Sequence, residues 1–544
     1  MPTHEVQNQP PPLQDYDPLA SDAALDEALQ REGAAWARGE VGSFARATAT
    51  RQAIGLGFEA NQNPPRLRTH DRFGHRIDEV DFHPAWHELM RLSVANGVHC
   101  GPWRDPGEGA HVARAAKMFL VSQTEAGHGC PLSMTYSAFP ALRHQADLLE
   151  EWAPRIVSLE YDSRALPAAE KRGALIGMGM TEKQGGSDVR ANTTRADPLG
   201  GGAYALTGHK WFCSAPMSDA FLVLAQAPRG LSCFLLPRWT PDGERNGFHL
   251  QRLKDKLGNR SNASSEVELD RAWARLLGEE GRGIGIILEM VNHTRLDCVI
   301  GAAAMMGQAL AQAVHHCVHR TAFGRRLIEQ PLMRAVLADL AVESEAATVL
   351  MMRLARAYDR QEEEISFRRI GTAVSKYHVC KRAAPMVAEA LECLGGNGYV
   401  EESMLPRIYR EAPLNSIWEG SGNVICLDVL RALHKEPGAR DALVEELRLG
   451  RGADRRLDAA LEEAEGRLAT PDEAGARRLV ESLGLVLQGS LLVRHSPGAV
   501  ADAFCATRLL GDGGYAFGTL PAGVDAGAIL SRTWPAGGRQ VTGC

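Results

Sequence analysis

The feature that most constrains the fold of this chain is a double change in its hydrophobic periodicity. From Asp22 to about Ala169, apolar residues recur mainly at helical spacing. From about Ala174 they form short apolar or alternating runs, and near Gly283 the helical spacing returns and persists. The order therefore predicts helices, then a β domain, then more helices. It argues against the regular alternation of strand and helix that builds a parallel α/β sheet.

The β domain is predicted from short runs that Gly, Pro, Asp and Asn separate. These runs are "ALIGMGM", "AYALTGHKWFCSA", "DAFLVLAQ", "LSCFLLP", "FHLQRL" and "SSEVELD". Strands that recur about every 8–12 residues are typical of an antiparallel barrel or sandwich. The chain contains neither G-x-G-x-x-G nor G-x-x-x-x-G-K-[ST], so a Rossmann fold and a P-loop lack their main sequence support.

Long helices with an apolar face are predicted after the β domain. They are "IGIILEMVNHTRLDCVIGAAAMMGQALAQAVHHCVHR", "LMRAVLADLAVESEAATVLMMRLARAYDR", "AVSKYHVCKRAAPMVAEALECLGG" and a helix that opens with "SGNVICLDVLRALHK". Two glycines end the third stretch, as at many helix C-termini. The pattern predicts an antiparallel four-helix bundle. After Pro437, amphipathic stretches such as "EAGARRLVESLGLVLQGSLLVR" predict an additional helical domain.

The predicted fold class is α+β. At 544 residues the chain is too long for one hydrophobic core, and about three or four domains are expected. We predict an N-terminal arm at residues 1–20, a helical domain at 21–174, the antiparallel β-barrel or sandwich at 175–283, the helical bundle at 284–436 and the additional helical domain at 437–544.

Composition and charge argue against several classes of protein. The net charge of −7 is not that of a polycation. No run of about 18 uncharged apolar residues and no signal peptide is evident, so we expect a cytoplasmic protein without a membrane span. The eleven cysteines are scattered and none lies in C-x-x-C. This favours reduced thiols over a disulfide framework and argues against a structural zinc site.

One polar stretch directly follows the first apolar run of the β domain. It reads "MTEKQGGSDVRANTTRA" from Met180 to Ala196. Glycines let a backbone approach a planar ligand closely, and clustered backbone N–H groups suit anions. A polar turn between two strands would have the same composition, because Gly and Asp are common turn residues. The stretch alone leaves both interpretations open.

Three further motifs follow in a fixed order. They are "GHKWFCSAP", "HRTAFGRRLIEQ" and "LGGNGYVEESMLPRIYREAPLNSIWEGSGN". Together with "TEKQGGSD" they resemble the motifs of the acyl-CoA dehydrogenase family of flavoproteins over residues 20–435. "KLGNRSNASSEVE" and the additional C-terminal domain resemble the AidB-like, alkylation-response branch of that family.

The resemblance implies a fold and an activity. The fold would be a helical domain, a β-barrel and a four-helix bundle. The activity would be FAD-dependent α,β-desaturation of a short or branched acyl-CoA, with electrons passing to an acceptor that the sequence does not indicate. Lys183 and Trp418 replace the family's common Pro and Tyr, so this turnover is expected to be weak.

Glu419 is the catalytic base that the resemblance implies. Such a base must be a carboxylate on a rigid support, within about 3 Å of the substrate's α proton. Other members of the family carry the base on an earlier helix, at the slot of Thr294 next to Arg295, and a hydroxyl cannot replace it. From local sequence alone, Glu419 could instead be a carboxylate that stabilises a helix N-terminus.

The resemblance also implies a set of FAD-binding residues. They are Met178, Met180, Thr181, Ser187, Phe212, Cys213, Ser214, Arg320, Phe323, Gln330, Gly395, Gly396, Gly398, Trp418, Ser421 and Asn423. The segment of Arg320, Phe323 and Gln330 resembles one that reaches the FAD of a neighbouring subunit, which implies a homotetramer. Without the family, Phe212 could be a barrel-core ring, Arg320 could cap a helix, and the glycines could simply end one.

The AidB-like branch implies a second function, protection of double-stranded DNA through the C-terminal domain. Arg477 and Arg478 are the candidate DNA-binding residues. However, residues 441–544 hold 11 Arg and no Lys against 14 acidic residues. Solvated helix faces of mixed charge therefore explain this region as well. A flavoprotein that binds DNA with little catalysis is the alternative function.

A metal site is not expected. His315 and His319 are four residues apart on a predicted helix, a spacing that can bind a metal ion. A third ligand is not evident nearby and H-E-x-x-H is absent.

Overall fold

The structure is a computed structural model and describes residues 4–360 and 362–533. Two compact units form within it. The helical unit comprises Met1–Arg51, Gly107–Thr124 and the chain from Arg295 onward. The β unit comprises Gln52–Pro106 and Glu125–Thr294. The five segment boundaries that the sequence suggests stay a prediction.

The helices and strands of the chain have the following bounds. The helices are α1 (Ala23–Leu29), α2 (Arg38–Thr48), α3 (Arg51–Gln62), α4 (Pro84–Ala95), α5 (Gly101–Arg104), α6 (Ala110–Thr124), α7 (Gly129–Leu142), α8 (Ala146–Ile156), α9 (Gly283–His319), α10 (Pro331–Asp359), α11 (Ile365–Cys393), α12 (Gly396–Tyr399), α13 (Met404–Glu411), α14 (Gly422–Lys435), α15 (Ala439–Arg448), α16 (Arg455–Ala469), α17 (Ala476–His495), α18 (Gly498–Phe504) and α19 (Ala526–Leu530). The strands are β1 (Arg66–His70), β2 (Arg76–Asp81), β3 (Ile176–Gly179), β4 (Arg195–Gly200), β5 (Ala203–Ser214), β6 (Ala220–Ala227), β7 (Gly230–Pro237), β8 (Phe248–Leu253), β9 (Ser264–Leu277), β10 (Thr321–Ala322) and β11 (Arg325–Arg326). This mixture confirms the predicted α+β class.

The main sheet of the β unit closes on itself. Its strands follow the order β6–β4–β5–β9–β7, and β7 pairs again with β6. Most ladders are antiparallel, as predicted, but β6 pairs in parallel with β3 and β4. Strand residues that point inward form one apolar core, in which the rings of Phe221 and Phe248 stack at 4.8 Å. Of the predicted antiparallel barrel or sandwich, the closed sheet is the barrel, with two parallel ladders that the sequence did not indicate.

A two-stranded hairpin, β1–β2, lies in the segment "NQNPPRLRTHDRFGHRIDEVDFHPAW", whose polar residues and prolines interrupt the helical pattern of the N-terminal region. Its strands pair antiparallel, with Arg66 opposite Asp81. Arg68 forms ion pairs with Glu79 and Asp81 across the hairpin. Charged side chains, rather than alternating apolar ones, stabilise the pairing of these two strands. The hairpin was therefore not predicted, because strands are predicted from alternating apolar residues.

The helical unit contains α10, α11, α14 and the part of α9 from Arg295 onward, the four helices that the sequence assigned to a bundle. Helix α10 packs on α11, and α11 packs on α14. Of the described helices, α9 is the one long and apolar enough to cross a membrane, and 72% of its most apolar window is buried inside the protein. That burial is what the core helix of a bundle requires.

The C-terminal helices pack on the bundle within the same compact unit. Helix α17 contacts α10, α11 and α14. On α10, Arg353 forms buried ion pairs with Glu364 at 2.6 Å and with Glu446 of α15 at 2.6 Å. Arg494 of α17 binds the same Glu446 at 2.9 Å. The additional helices are thus joined to the bundle by buried charge pairs as well as by apolar packing.

The described part of the predicted N-terminal arm, residues 4–20, lies against the helical unit. The side chain of Asn8 donates to the carbonyl of Thr321 at 2.7 Å and accepts from its N–H at 2.8 Å. His315 donates to the carbonyl of Pro11 at 2.8 Å. These hydrogen bonds tie the arm to the end of α9 and to strand β10.

Candidate functional site

The polar stretch after β3 is built around a buried ion pair. Glu182 and Lys210 of β5 lie 2.7 Å apart with both side chains buried. Lys210 also donates to the carbonyl of Leu224 at 2.8 Å. The carboxylate of Glu182 accepts from the N–H groups of Thr193 at 2.7 Å and Thr194 at 3.3 Å. One carboxylate thus closes the stretch into a loop fixed to strand β5.

The same contacts set the protonation of Glu182. Burial by itself would raise its pKa, but the Lys210 ammonium and the hydrogen bonds to the carboxylate lower the pKa to about 2. Glu182 is therefore an ionised structural anchor. The two residues lie in the motifs "TEKQGGSD" and "GHKWFCSAP", but the sequence offered no means of pairing residues 28 apart.

The predicted cofactor residues of the β unit cluster beside this ion pair. Met178 is buried on β3, whereas Met180 and Thr181 are half-buried where that strand ends. The carbonyl of Thr181 accepts from the N–H of Trp211 at 2.8 Å, which joins the loop to β5. Ser187 is exposed further along the loop. The structure thus brings the first two sequence motifs together.

Strand β5 presents its three predicted residues differently. The ring of Phe212 is 52% exposed, so it is not a barrel-core aromatic. The thiol of Cys213 lies in the barrel core, where burial raises its pKa to about 12. Any contact of Cys213 with a ligand would therefore involve its backbone. The hydroxyl of Ser214 is 3.1 Å from that of Ser264, which accepts from Lys256 at 3.0 Å.

Glu419 lies in a tight turn of the helical unit, just before α14. Its φ is 57° and that of Gly420 is 109°, so two consecutive residues are left-handed. A Cβ on Gly420 would also lie 2.9 Å from Ile425. Glycine is required there because it adopts this conformation without steric cost. The Glu419 side chain is half-buried, next to the half-buried Trp418.

Buried cations bind the backbone of this turn. Arg295 of α9 donates to the carbonyl of Glu419 at 3.0 Å. Lys376 of α11 donates to the carbonyls of Trp418, at 2.9 Å, and of Gly420. The sequence had assigned no role to Lys376 and had named Arg295 only as a neighbour. The helix pattern placed both in the bundle but did not show what they bind.

The carboxylate of Asp428 binds Arg295 and so holds its guanidinium in place. Asp428 of α14 binds Arg295 at 2.7 Å and Arg369 at 2.8 Å. Burial would raise the pKa of Asp428, but the two guanidinium groups hold it below its ordinary value. This carboxylate therefore stays ionised and fixes the arginine that binds Glu419.

Ser421 and Asn423 lie at the N-terminus of α14. Ser421 is the N-cap residue, but its exposed side chain makes no capping hydrogen bond. Asn423 accepts from Arg477 of α17 at 3.3 Å, and Arg477 also binds the hydroxyl of Tyr377 at 3.1 Å. Arg477, which was predicted to bind DNA, is therefore hydrogen-bonded to Asn423, which was predicted to bind FAD. Arg478, beside it, is exposed.

The remaining predicted residues form a second surface of the helical unit. Gln330 donates to the carbonyl of Ala322 at 2.8 Å, next to Phe323, whose ring is 97% exposed. Arg320 donates to the carbonyl of Asn8, so the N-terminal arm contacts this segment directly.

Three predicted glycines follow α11: Gly395 precedes the short helix α12, and Gly396 and Gly398 belong to it. A Cβ on Gly395 or Gly396 would meet no atom within 4 Å. A Cβ on Gly398 would lie 2.2 Å from the carbonyl oxygen of Leu391, so this glycine serves close packing instead. Gly395 and Gly396 are thus open to a ligand, whereas Gly398 is enclosed by its own chain.

These residues fit FAD in type. Phe212 offers an exposed flat ring to a planar group, and Ser421 offers a hydroxyl at a helix N-terminus, where anions bind well. The open backbone at Gly395 and Gly396 allows close approach, and Arg320 supplies a guanidinium suited to a diphosphate.

Metal ligands do not converge in the described part of the chain. His315 donates to Pro11, and His319 donates to the carbonyl of His315 at 2.9 Å. Among residues 4–360 and 362–533, no group of three His, Cys, Asp or Glu side chains is arranged to hold a metal ion. The ten cysteines described are free and buried; Cys544 lies outside the described residues.

Comparison with protein families gives matches along most of the chain. Residues 8–163 match the adaptive response protein AidB N-terminal domain. Residues 177–272 match the middle domain of acyl-CoA dehydrogenases, and residues 281–434 match their C-terminal domain.

Individual proteins resemble the chain over nearly its whole length. The putative acyl-CoA dehydrogenase AidB of Escherichia coli K12 is 50% identical over 94% of this chain and 95% of its own length. Acyl-CoA dehydrogenase family member 11 of Caenorhabditis elegans is 31% identical over 81% of this chain and 77% of its own. The crystal structure of C. elegans ACDH-11 in complex with C11-CoA superposes with a TM-score of 0.85, at 29% identity, and covers 94% of each chain.

Loss of the Glu182–Lys210 pair should destabilise the protein. We expect Glu182→Gln and Lys210→Met each to lose about 3–5 kcal/mol at neutral pH, because either change leaves a buried charge unpaired. Because the folded-state pKa of Glu182 lies below its unfolded value of about 4.3, the pair's stabilisation is present above that value and is lost as the pH falls towards about 2. Urea unfolding between neutral and acidic pH measures both effects.

The matched control is the exposed pair of Lys183 and Glu268, whose nitrogen and oxygen are 2.6 Å apart, against 2.7 Å in the buried pair. Glu268→Gln should cost less than about 1 kcal/mol, because water screens an exposed pair. Equal losses in the two glutamate variants would contradict the structural role of Glu182.

Proposed function

Since this chain belongs to the acyl-CoA dehydrogenase family, in the branch of the adaptive response protein AidB, we propose that Glu419 removes the α proton of an acyl-CoA thioester. The family predicted from the motifs is thereby confirmed. The protein is an FAD-dependent oxidoreductase of the acyl-CoA dehydrogenase type. The identity of the reacting residues is the proposal.

The observation that carries the proposal is the position of Glu419 in a rigid turn. Three consecutive carbonyls of the turn, from Trp418 to Gly420, accept hydrogen bonds from buried cations. A general base needs such support, because a proton transfers efficiently only across hydrogen-bond distance. At the family's other slot, the hydroxyl of Thr294 donates to the carbonyl of Val291 at 3.0 Å, within its own helix.

In the proposed reaction, the thioester loses a proton from its α carbon and a hydride from its β carbon. The Glu419 carboxylate takes the α proton, and the α carbon's electron pair becomes the new double bond. FAD supplies the acceptor for the β hydrogen, which leaves with its electron pair as hydride. Trp418, whose indole N–H donates to Asn415 at 2.8 Å, precedes Glu419 in the chain, and its role in the proposal is to shield the carboxylate from water. The product is an α,β-unsaturated thioester.

The proposed substrate is a short or branched acyl-CoA that this chain turns over weakly. Lys183 and Trp418 stand where many desaturases carry Pro and Tyr. The C. elegans neighbour was crystallised with C11-CoA, a longer acyl chain. A series of acyl-CoAs from branched C5 to straight C11 therefore tests the chain-length preference directly.

Replacement of Glu419 should abolish reduction of the bound FAD. Wild-type holoenzyme mixed anaerobically with the acyl-CoA series should lose its flavin absorbance with the preferred substrate. Glu419→Gln should slow this bleaching by about 10²–10⁴-fold, because the general base is gone, while FAD stays bound. The control is Glu402→Gln, the same change at an exposed glutamate of the same motif region. Bleaching of Glu419→Gln at the wild-type rate would remove Glu419 from its role.

The proposal includes a cytoplasmic homotetramer. Large apolar side chains on the surface of the helical unit support self-association: Phe323, Leu332 and Tyr399 are 97%, 85% and 80% exposed. Such residues are costly to leave in water together and are typical of protein interfaces. Arg320 and Gly396 lie in the same segments, so assembly would bring these FAD-type residues to a neighbouring subunit.

Substitution of Phe323 should weaken the assembly. Phe323→Asp places a charge in the proposed interface, at a left-handed φ of 53° that aspartate tolerates. We expect sedimentation velocity to show species smaller than the wild-type tetramer. The control is Phe73→Asp, which changes an equally apolar exposed ring of the β unit. An unchanged tetramer in Phe323→Asp would count against this interface.

DNA binding remains the alternative, and the charges of the C-terminal helices do not favour it. Arginines of this region form ion pairs within the chain: Arg448, Arg451, Arg456, Arg467, Arg494, Arg508 and Arg532. Arg477 is held by Tyr377 and Asn423. A guanidinium that already has a partner loses that partner when it binds a phosphate, so its net contribution to affinity is small.

We therefore expect no salt-sensitive binding of duplex DNA at physiological ionic strength. Fluorescence anisotropy of a labelled duplex, titrated with holoenzyme at several salt concentrations, measures this. A steep loss of affinity with salt in the wild type, removed by Arg477→Ala together with Arg478→Ala, would instead establish the DNA-binding alternative.

A further inference from the structure

The turn that carries Glu419 depends on a lysine from another helix. Lys376 lies in the middle of α11 and is 1% exposed. Its ammonium donates to the carbonyl of Trp418 at 2.9 Å and to that of Gly420. One side chain thus binds the backbone on both sides of the proposed base.

The backbone conformation explains why such a contact is needed. Glu419 has a φ of 57°, a region that a residue with a Cβ occupies at a cost of about 1–3 kcal/mol. Buried carbonyls without a donor add a further cost. A strained, partly buried turn persists only when its surroundings hold it, and here two cations do so.

The two cations are held differently. Arg295 is fixed by Asp428, which Arg369 binds in turn. Lys376, in contrast, forms no ion pair with any residue in 4–360 or 362–533. Its positive charge is therefore directed at the carbonyl oxygens of the turn, which makes these bonds charge-assisted and stronger than ordinary ones.

We propose that Lys376 is a positioning residue for Glu419, an inference that rests on the proposed function of that glutamate. Lys376 acts through the backbone of the turn: it fixes the Cα of Glu419 and so the reach of its carboxylate. A displacement of about 1 Å at a reacting group can cost about 10²-fold in rate, so loss of Lys376 slows proton removal without removing the base.

The test compares Lys376→Met and Lys376→Gln with wild-type holoenzyme. Lys376→Met keeps the length of the side chain but has no donor, and we expect the saturating rate of anaerobic FAD reduction by acyl-CoA to fall about 10²-fold. KM should change less than about 3-fold, because the lysine acts on the base and not on substrate affinity. Lys376→Gln keeps one donor and should have an intermediate rate, which also keeps the test informative if Lys376→Met does not fold.

Hydrogen–deuterium exchange gives a readout that does not depend on turnover. In FAD-loaded Lys376→Met, the amides of residues 416–422 should exchange at least about 10-fold faster than in the wild type. Amides of the barrel should be unaffected.

Lys171 supplies the matched control for lost stability. It is a buried lysine of the β unit, paired with Asp219 at 2.6 Å. Lys171→Met should lower the melting temperature but leave the saturating rate within about 3-fold of the wild type. If Lys171→Met slows FAD reduction as much as Lys376→Met does, the effect is general destabilisation and the inference is overturned.

The same experiments separate this inference from the proposed function. Wild-type bleaching by Glu419→Gln overturns the proposed function and, with it, the inference. Abolished bleaching in Glu419→Gln together with an unchanged saturating rate in Lys376→Met overturns the inference alone. A slowed rate with faster exchange at the turn, in Lys376→Met only, supports both.

Discussion

Buried cations that bind backbone carbonyls hold the turn that carries Glu419, the residue proposed as the base. Arg295 and Lys376 come from two helices of the bundle and meet at three consecutive carbonyls around Glu419. A left-handed glutamate would otherwise relax, since neither a regular helix nor a strand supports its backbone. The bundle therefore supplies more than a core: it fixes the backbone of the residue proposed as the base.

In the β unit, irregular backbone is also held by a buried charge, but the charge is negative and binds N–H groups instead of carbonyls. There a buried carboxylate, Glu182, gathers backbone N–H groups of the loop and is neutralised by Lys210. In both places an ion inside the protein organises irregular backbone that lacks partners of its own. A ligand site is built from irregular backbone of this kind. One buried charge can make such backbone rigid because it binds several backbone groups at once. In each unit, predicted FAD-contact residues thus lie on backbone that a buried ion fixes, and these ions were not among the predicted site residues.

Sequence motifs identified the segments of the site better than the role of each residue. Phe212 is exposed, as a residue that meets a planar ligand should be, but Cys213 beside it lies in the core. Gly395 is open, whereas Gly398 packs against Leu391. Adjacent residues differ in this way because a strand turns successive side chains to opposite faces and a turn buries one glycine while it exposes another. A motif records which residues occur together, and only the fold determines which way each one faces.

The sequence by itself determined the class and order of the elements, because hydrophobic periodicity is local and each helix or strand shows it within a few turns. It also determined the family, because four motifs in a fixed order can be recognised without any knowledge of their contacts. Tertiary structure alone decided which charges pair. Arg295 and Glu419 are 124 residues apart, and Lys376 and Trp418 are 42 apart, so no local pattern links them. Tertiary structure likewise joined Arg477 to Asn423 and placed it on the bundle. Charge pairs of this kind form only when burial removes competing water, and burial is a property of the whole fold.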